Sequence, residues 1–476
     1  MPRNYFILLL QFAILLFNLL RLIDVSLFVD DNTILTSIVL TFSSVFLFLF
    51  FRESNPTIKK QLLRISYLFI LGYIIVNFQF YLDFLLGNTQ NFRGNYFIYN
   101  YVVSKSSIIS SIGLNAFFIG YLLKTSSKIR IKPSKKIFRM SEWFLVVSVL
   151  LSFGIFYLTA DKRYFSGQYG MVELGVVPTF AQTFLYYFVS AYIISLAYKF
   201  KKNNEKLSIK KYIFKFNIIF LAVIVIYLLL VLVSGDRGPI MQIGLLFIAG
   251  YLFSQNKKIP AKYFILGIVL GAFVITTLGQ VRSFKDETSF IERYNKSKEE
   301  SKKFENYYSI SPSTHELAIS VRTNHAALDF VEKKGYKYGM VQLNQLSAIV
   351  PGFGTFIRLA TGLETKDLAS ADILTYHILG PNPSHGLGTS ALADIYLDFG
   401  TLGIIIGFIL FGVFVRVLEV SSYSEIVPRL LLWVMAFVFL SKALYIGRSS
   451  IVILFRECFT IYFIILFSSF INRKHA

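Results

Sequence analysis

Four of the five histidines in this 476-residue chain, His315, His325, His377 and His385, fall between residues 281 and 388. Imidazole titrates near neutral pH and accepts a proton from a hydroxyl, so one of these side chains suits general acid–base work. The plain alternative is that histidines favour polar loops anyway. Their spacings of ten, fifty-two and eight residues match neither HxxxH nor HExxH, so no metal site is expected. The single cysteine, Cys458, excludes both a disulfide framework and a Cys-based zinc site within one chain.

Arginines supply the second chemistry. Arg237 lies in Ser234-Gly235-Asp236-Arg237-Gly238-Pro239, between two apolar runs. One reading has Ser234 or Asp236 capping the helix that begins near Pro239, with Arg237 paired to Asp236. In the other, a guanidinium flanked by two glycines binds a phosphate bidentately. Arg448 and Arg456, two helical turns apart beside Glu457, are costly at membrane depth and so are functional candidates, although an ion pair within or between helices is the plainer account of Arg456. Arg282 and Arg358 are placed to reach the same cavity, which makes Arg237, Arg282, Arg358 and Arg448 a candidate diphosphate-binding set. The turn-rich segment 381–390 contains His385 and opens into an apolar helix through Asp394 and Asp398. These carboxylates either complement the helix dipole or serve the reaction, one of them orienting His385 or acting as the base itself. The segment lacks the spacing of a P-loop.

The elements that must hold these residues are membrane spans. Hydrophobic residues make up 55% of the chain and charged ones 16%, and the mean hydropathy is +0.60, which excludes a soluble globular protein. Twelve apolar runs, near 5–22, 33–51, 65–82, 104–123, 141–160, 177–198, 214–234, 237–253, 261–280, 396–415, 428–446 and 450–470, have the length of helices that cross a ~30 Å hydrocarbon layer. The net charge of +21 is concentrated in alternate connections, such as 124–140 and 199–211, so it reports topology rather than nucleic-acid binding. One assignment satisfies every loop, with both termini cytoplasmic and residues 281–388 outside. That segment has 13 Lys or Arg and 12 Asp or Glu and is too long for a mere connection.

The expected fold is therefore an all-α polytopic membrane protein of about 12 transmembrane helices. Residues 1–280 form spans one to nine, 281–388 the large external loop, and 389–476 the last three spans. Within the loop, 313–333 reads as an amphipathic helix with Ser313 as its cap. The apolar stretch 336–355, broken by Pro351, Gly352 and Gly354, reads as an interfacial or re-entrant helix.

An outward-facing site has no access to cytoplasmic nucleotides, and the sequence shows neither a Walker nor a Rossmann fingerprint. A transferred group must therefore arrive already activated. A lipid diphosphate fits, with its tail between spans, its diphosphate at the arginines and its sugars among Tyr294, Tyr307, Tyr308, Tyr336 and Tyr338. Four features carry a family resemblance: the Arg-Gly element at 234–239, one large external loop between late spans, Tyr336-Lys337-Tyr338-Gly339 leading to Ile349-Val350-Pro351, and Asp-Ile-Tyr-Leu-Asp-Phe-Gly-Thr-Leu-Gly at 394–403. Together they resemble the O-antigen and capsular repeat-unit polymerase family over nearly the whole chain.

The resemblance implies a membrane-embedded oligosaccharide repeat-unit polymerase, with a fold similar to the GT-C-like glycosyltransferases that use lipid-linked sugars. It would sit in the bacterial plasma membrane and move a growing glycan between undecaprenyl-diphosphate carriers without a metal or other cofactor. Its partners would be those lipid-linked glycans, membrane lipid, a chain-length regulator and a flippase, and no nucleic acid. Arg237 is the matching diphosphate contact, and His385 is the counterpart of a loop histidine used by related ligases. A ligase of the same superfamily is the near alternative. A flippase or exporter of lipid-linked oligosaccharide, or a non-catalytic scaffold, comes from a different class.

Overall fold

A computed structural model describes residues 3–51, 53, 56–59, 61–88, 96–123, 140–165, 174–257, 262, 267, 271, 309–311, 314–347, 349–350, 352–383 and 385–474. Among them every regular element is helical. The long apolar helices are α1 (Arg3–Arg21), α2 (Asp31–Leu49), α3 (Ile65–Leu85), α4 (Val103–Leu123), α5 (Glu142–Thr159), α6 (Val176–Lys202), α7 (Ile218–Ser234) and α8 (Gly238–Gln255). The long polar segment then contributes α9 (Val321–Lys334), α10 (Met340–Ser347), α11 (Phe353–Thr361) and α12 (Ser370–Leu379). The chain ends with α13 (Ala391–Ser422), α14 (Leu430–Lys442) and α15 (Ile453–Lys474).

Ten helices of the described residues are long and apolar enough to cross a membrane, counting 430–448 as one, and the shorter Ile218–Ser234 matches an eleventh expected run. The chain is a multi-pass membrane protein. The expected span at 261–280 lies outside the described residues, as do Ser313, Tyr294, Tyr307 and Tyr308.

Two groups of helices pack side by side. Around α4 lie α1, α2 and α13, while α5, α8 and α15 pack on α6, and α14 joins the groups. α4 is buried along almost its whole length because its sequence is rich in small residues (Ser104, Ser106, Ser107, Ser110, Ser111, Gly113, Ala116 and Gly120) that let neighbouring backbones approach. Gly120 of α4 faces the Ile409 carbonyl, and Gly412 of α13 faces the Phe117 carbonyl; a methyl group at either would collide.

The two ends of the bundle differ. At one end Arg416 is paired with both oxygens of Glu53, and Glu419 accepts from the Ser66 N–H at 2.8 Å and from the Tyr121 hydroxyl at 2.5 Å. The other end holds the first described residues of the long polar segment, where Asp83 at the end of α3 accepts from the Ile310 N–H at 2.7 Å. We call this end the loop face.

The described part of the polar segment packs into the bundle. The helix expected at 313–333 is broken into a single turn, His315–Ala318, and α9. α9 is buried on nearly every side from Val321 to Val331, packed on α13 and α12 and against α3 and α4. Its polar residues find partners in the spans: Asn324 donates to Asn77 at 2.7 Å, and His325 is hydrogen-bonded to the Tyr81 hydroxyl at 2.8 Å. Burial, helped by the nearby Arg322 charge, pushes the His325 pKa down to about 3, so this histidine is a neutral core residue. The apolar stretch at 336–355 becomes two short helices, α10 and the start of α11, which meet near Gly352 at φ +84°. Phe356 and Leu359 of α11 are exposed, as an interfacial helix requires.

Candidate functional site

Arg237 sits where α7 ends and α8 begins. Gly235 turns the chain with φ +84°, Asp236 caps α8 by accepting the Gly238 N–H at 3.1 Å, and the Tyr164 hydroxyl donates to Asp236 at 3.2 Å. With Asp236 serving as the cap, the Arg237 guanidinium extends to Glu316, donating at 3.0 Å. Arg448, at the end of the 3₁₀ segment Ala443–Arg448 that follows α14, lies 3.9 Å from the other oxygen of the same carboxylate. Two guanidiniums from different parts of the membrane domain therefore converge on one acidic side chain of the polar segment.

A continuous set of hydrogen bonds begins two residues from Arg448. Ser450 is bonded to Gln345 of α10, Gln345 donates to Asp394 of α13 at 2.7 Å, and the Thr389 hydroxyl donates to Asp394 at 2.5 Å. Ser390, next in the chain, caps α13 by accepting from Ala393 at 2.9 Å and donates to Asn324 at 2.5 Å. Asp394 is buried and fully engaged in holding α10, the entry to α15 and the 385–390 segment together. Its geometry is that of a positioning group.

Asp398 also holds backbone. It accepts the N–H groups of Val341 and Gln342 at 3.1 and 2.8 Å, so a side chain of α13 caps α10. Close by, α13 breaks at Gly400, whose φ of +61° and ψ of −153° are non-helical, and the Lys337 N–H donates to the Leu397 carbonyl at 2.8 Å. Gly400 lies against the Tyr336 ring and Gly339 against the Phe399 ring. The two sequence elements at 336–339 and 394–403 thus form one joint.

His385 is exposed in the turn between α12 and α13, a segment fixed downstream by the Leu387 N–H to Thr375 at 3.0 Å and by Thr389 to Asp394. Arg358 is exposed on α11, where it donates to Thr355 at 3.2 Å. Arg282 lies outside the described residues. Glu457 pairs across helices with Lys442 at 2.5 Å.

The arrangement that sequence reasoning missed is His377 with Asp329. Nε2 of His377 lies 2.5 Å from the Asp329 carboxylate, which also receives Lys333 at 2.8 Å and the Tyr101 hydroxyl. Burial raises the Asp329 pKa, but the Lys333, Tyr101 and His377 hydrogen bonds outweigh it and hold the carboxyl below its ordinary value. An ionised carboxylate only accepts, so Nε2 of His377 carries a proton and donates it. The two residues are 48 apart in sequence, and no local spacing announces them.

The described residues define an all-helical integral-membrane protein in which two arginines meet one acidic side chain of a long polar segment. The profile of one family, O-antigen polysaccharide polymerase Wzy, matches residues 5–475, and the chain belongs to that family. No curated protein and no solved structure matches it. The family polymerises O-antigen repeat units and acts on lipid-linked oligosaccharides in the membrane.

Proposed function

We propose that this chain extends O-antigen or capsular polysaccharide by moving a growing glycan from undecaprenyl diphosphate onto the non-reducing sugar of a second undecaprenyl-diphosphate-linked repeat unit, at the outer face of the plasma membrane. The observation that supports this reading is the convergence of Arg237 and Arg448 on Glu316. A diphosphate that displaces the Glu316 carboxylate gains two planar, permanently charged donors. Arg358 and Arg282 complete the proposed diphosphate-binding set, Arg282 from outside the described residues.

In the transfer, a bond forms between the acceptor hydroxyl oxygen and the anomeric carbon, and the bond from that carbon to the diphosphate oxygen breaks. Arg237 and Arg448 stabilise the charge that develops on the departing diphosphate, so the transfer needs no metal. The acceptor proton passes to His385, whose segment is held in place by Asp394 through Thr389. Asp394 and Asp398 position the machinery and do not accept this proton. A flippase and a chain-length regulator are the partners such a cycle calls for.

A ligase would share the donor chemistry and differ only in its acceptor. A flippase or exporter needs ionisable groups at mid-membrane. Among the described residues, the buried carboxylates Glu53, Asp83, Asp329, Asp394, Asp398, Glu419 and Glu457 are each engaged by hydrogen-bond partners of the chain itself. The test is to incubate purified protein in liposomes with the host's own lipid-linked repeat unit, without nucleotide sugar or metal. A ladder at repeat-unit spacing is expected. Transfer only onto an added lipid A-type acceptor would replace polymerase with ligase, and no transfer with movement of the lipid across the bilayer would replace both with transport.

A further inference from the structure

The loop face has a second concavity, apart from the paired arginines. A cleft of about 470 Å³ opens between α9, the chain after it, the single-turn helix Thr365–Leu368 and α12. That volume is in the range of ~300–1,000 Å³ typical of small-ligand sites. We propose that this cleft is a subsite for an anionic sugar, a uronic-acid-type residue of the glycan. The identity of the chain that delivers it rests on the polymerase reading, but occupancy of the cleft does not require turnover.

The lining carries the argument. Lys334 at the end of α9, Lys337 three residues on and Lys366 from a separate helix bring three ammonium groups to the cleft against one lining carboxylate, Asp367. Lys366 also touches Glu364 at 2.7 Å, an exposed pair that water and salt weaken, so a cationic balance remains. The plainer explanation for basic residues at the end of α9 is compensation of the helix dipole. Lys333 already meets that need while bonded to Asp329, and Lys334 and Lys337 turn instead over the Phe330 ring, 5.3 and 5.4 Å from its centroid.

Aromatic surface and hydrogen-bonding groups complete a site for a sugar rather than for a bare anion. The exposed Tyr376 lines the cleft and offers a flat face against which the C–H groups of a pyranose ring pack, while the buried Phe330 beneath Lys334 and Lys337 forms an apolar floor. His377 is also part of the lining, its ring fixed edge-on to Phe330 at 5.3 Å and anchored by Asp329. With Nε2 held by Asp329, Nδ1 is the ring nitrogen left to hydrogen-bond a sugar hydroxyl, while the lysines receive the carboxylate.

Binding to the purified, full-length protein in detergent tests this directly, with trigalacturonate, maltotriose and inorganic phosphate as probes. Trigalacturonate is expected to bind at least tenfold more tightly than maltotriose, more weakly as salt rises, and without full competition from phosphate at equal concentration. The triple variant K334Q/K337Q/K366Q is expected to lose at least tenfold in affinity, and K334R/K337R/K366R to keep it. Equal binding of maltotriose, complete competition by phosphate, or unchanged binding by the glutamine variant would each overturn the assignment. The R237K variant is expected to bind trigalacturonate normally. If wild type binds the probe yet builds no ladder from its own repeat unit, the polymerase reading fails and the subsite stands; a ladder without probe binding is the reverse result.

Discussion

Arg237 donates to Glu316 at 3.0 Å across 79 residues of sequence, and the same carboxylate reaches within 3.9 Å of Arg448. Glu316 therefore holds two cationic side chains near one carboxylate, as an anionic ligand would. Under the polymerase reading, donor diphosphate and Glu316 compete for the same guanidiniums. Replacing Glu316 with Gln keeps the size and removes the competing charge. A partly exposed pair of this kind is worth ~0.2–1 kcal/mol, so the variant is expected to lower the donor KM by about one and a half- to fivefold. Initial rates against donor concentration report this, and a raised KM would make Glu316 a strut that the site needs.

The arginines themselves are tested by geometry rather than charge. Arg237→Lys and Arg448→Lys each retain a cation but lose the planar fork that grips a phosphate at two points. Each is expected to lower kcat/KM by roughly ten- to a hundredfold, about 1.4–2.8 kcal/mol of transition-state stabilisation, with the protein still folded. A normal distribution of glycan lengths from either variant would remove that arginine from the donor site.

The spans were legible because a ~20-residue apolar run has few other uses; the described helices begin and end within a few residues of the expected runs, except that Ala391–Ser422 extends well beyond 396–415 at both ends. The joint between residues 336–339 and 394–403 was visible as two separate motifs, but its cause was not. Only in three dimensions does the break at Gly400 sit against Tyr336, and the Leu397 carbonyl meet the Lys337 N–H. The site was half legible. Arg237 and Arg448 stood out because guanidiniums at membrane boundaries are costly, whereas Glu316 carried no such signal. The His377–Asp329 pair went unseen because tertiary packing of α12 on α9 creates it. Asp394 and Asp398 looked like members of one pair at i and i+4, yet one anchors a side-chain network and the other caps a different helix.

His325 makes stability depend on pH. Its pKa falls from an ordinary 6.5 to about 3 on folding, so the unfolded chain binds the extra proton between those values. The contribution is complete above pH 6.5 and is lost progressively as pH falls toward 3. At pH 5 the difference of 1.5 units corresponds to about 2 kcal/mol. Thermal unfolding in detergent is expected to show this loss between pH 7 and 5, and the neutral variant His325→Gln to flatten it. A wild-type profile as flat as the variant's would mean that His325 is solvated in the folded protein.

Asp398 offers a clean separation of a structural carboxylate from a catalytic one. Its oxygens accept the N–H groups of Val341 and Gln342, and α10 in turn carries Gln345, the link between Ser450 and Asp394. Asn in place of Asp keeps one acceptor oxygen and remains a good cap, whereas Ala leaves both amides without it. Asp398→Ala is therefore expected to cost about 1–2 kcal/mol of stability and to reduce polymerisation by loosening α10. Asp398→Asn is expected to stay near wild type in both respects. A general base behaves the other way: the amide cannot take a proton, so Asn would abolish transfer while leaving the fold intact. Measuring unfolding and ladder formation on the two variants side by side decides between the roles, and a stable but inactive Asn variant would return Asp398 to the reaction.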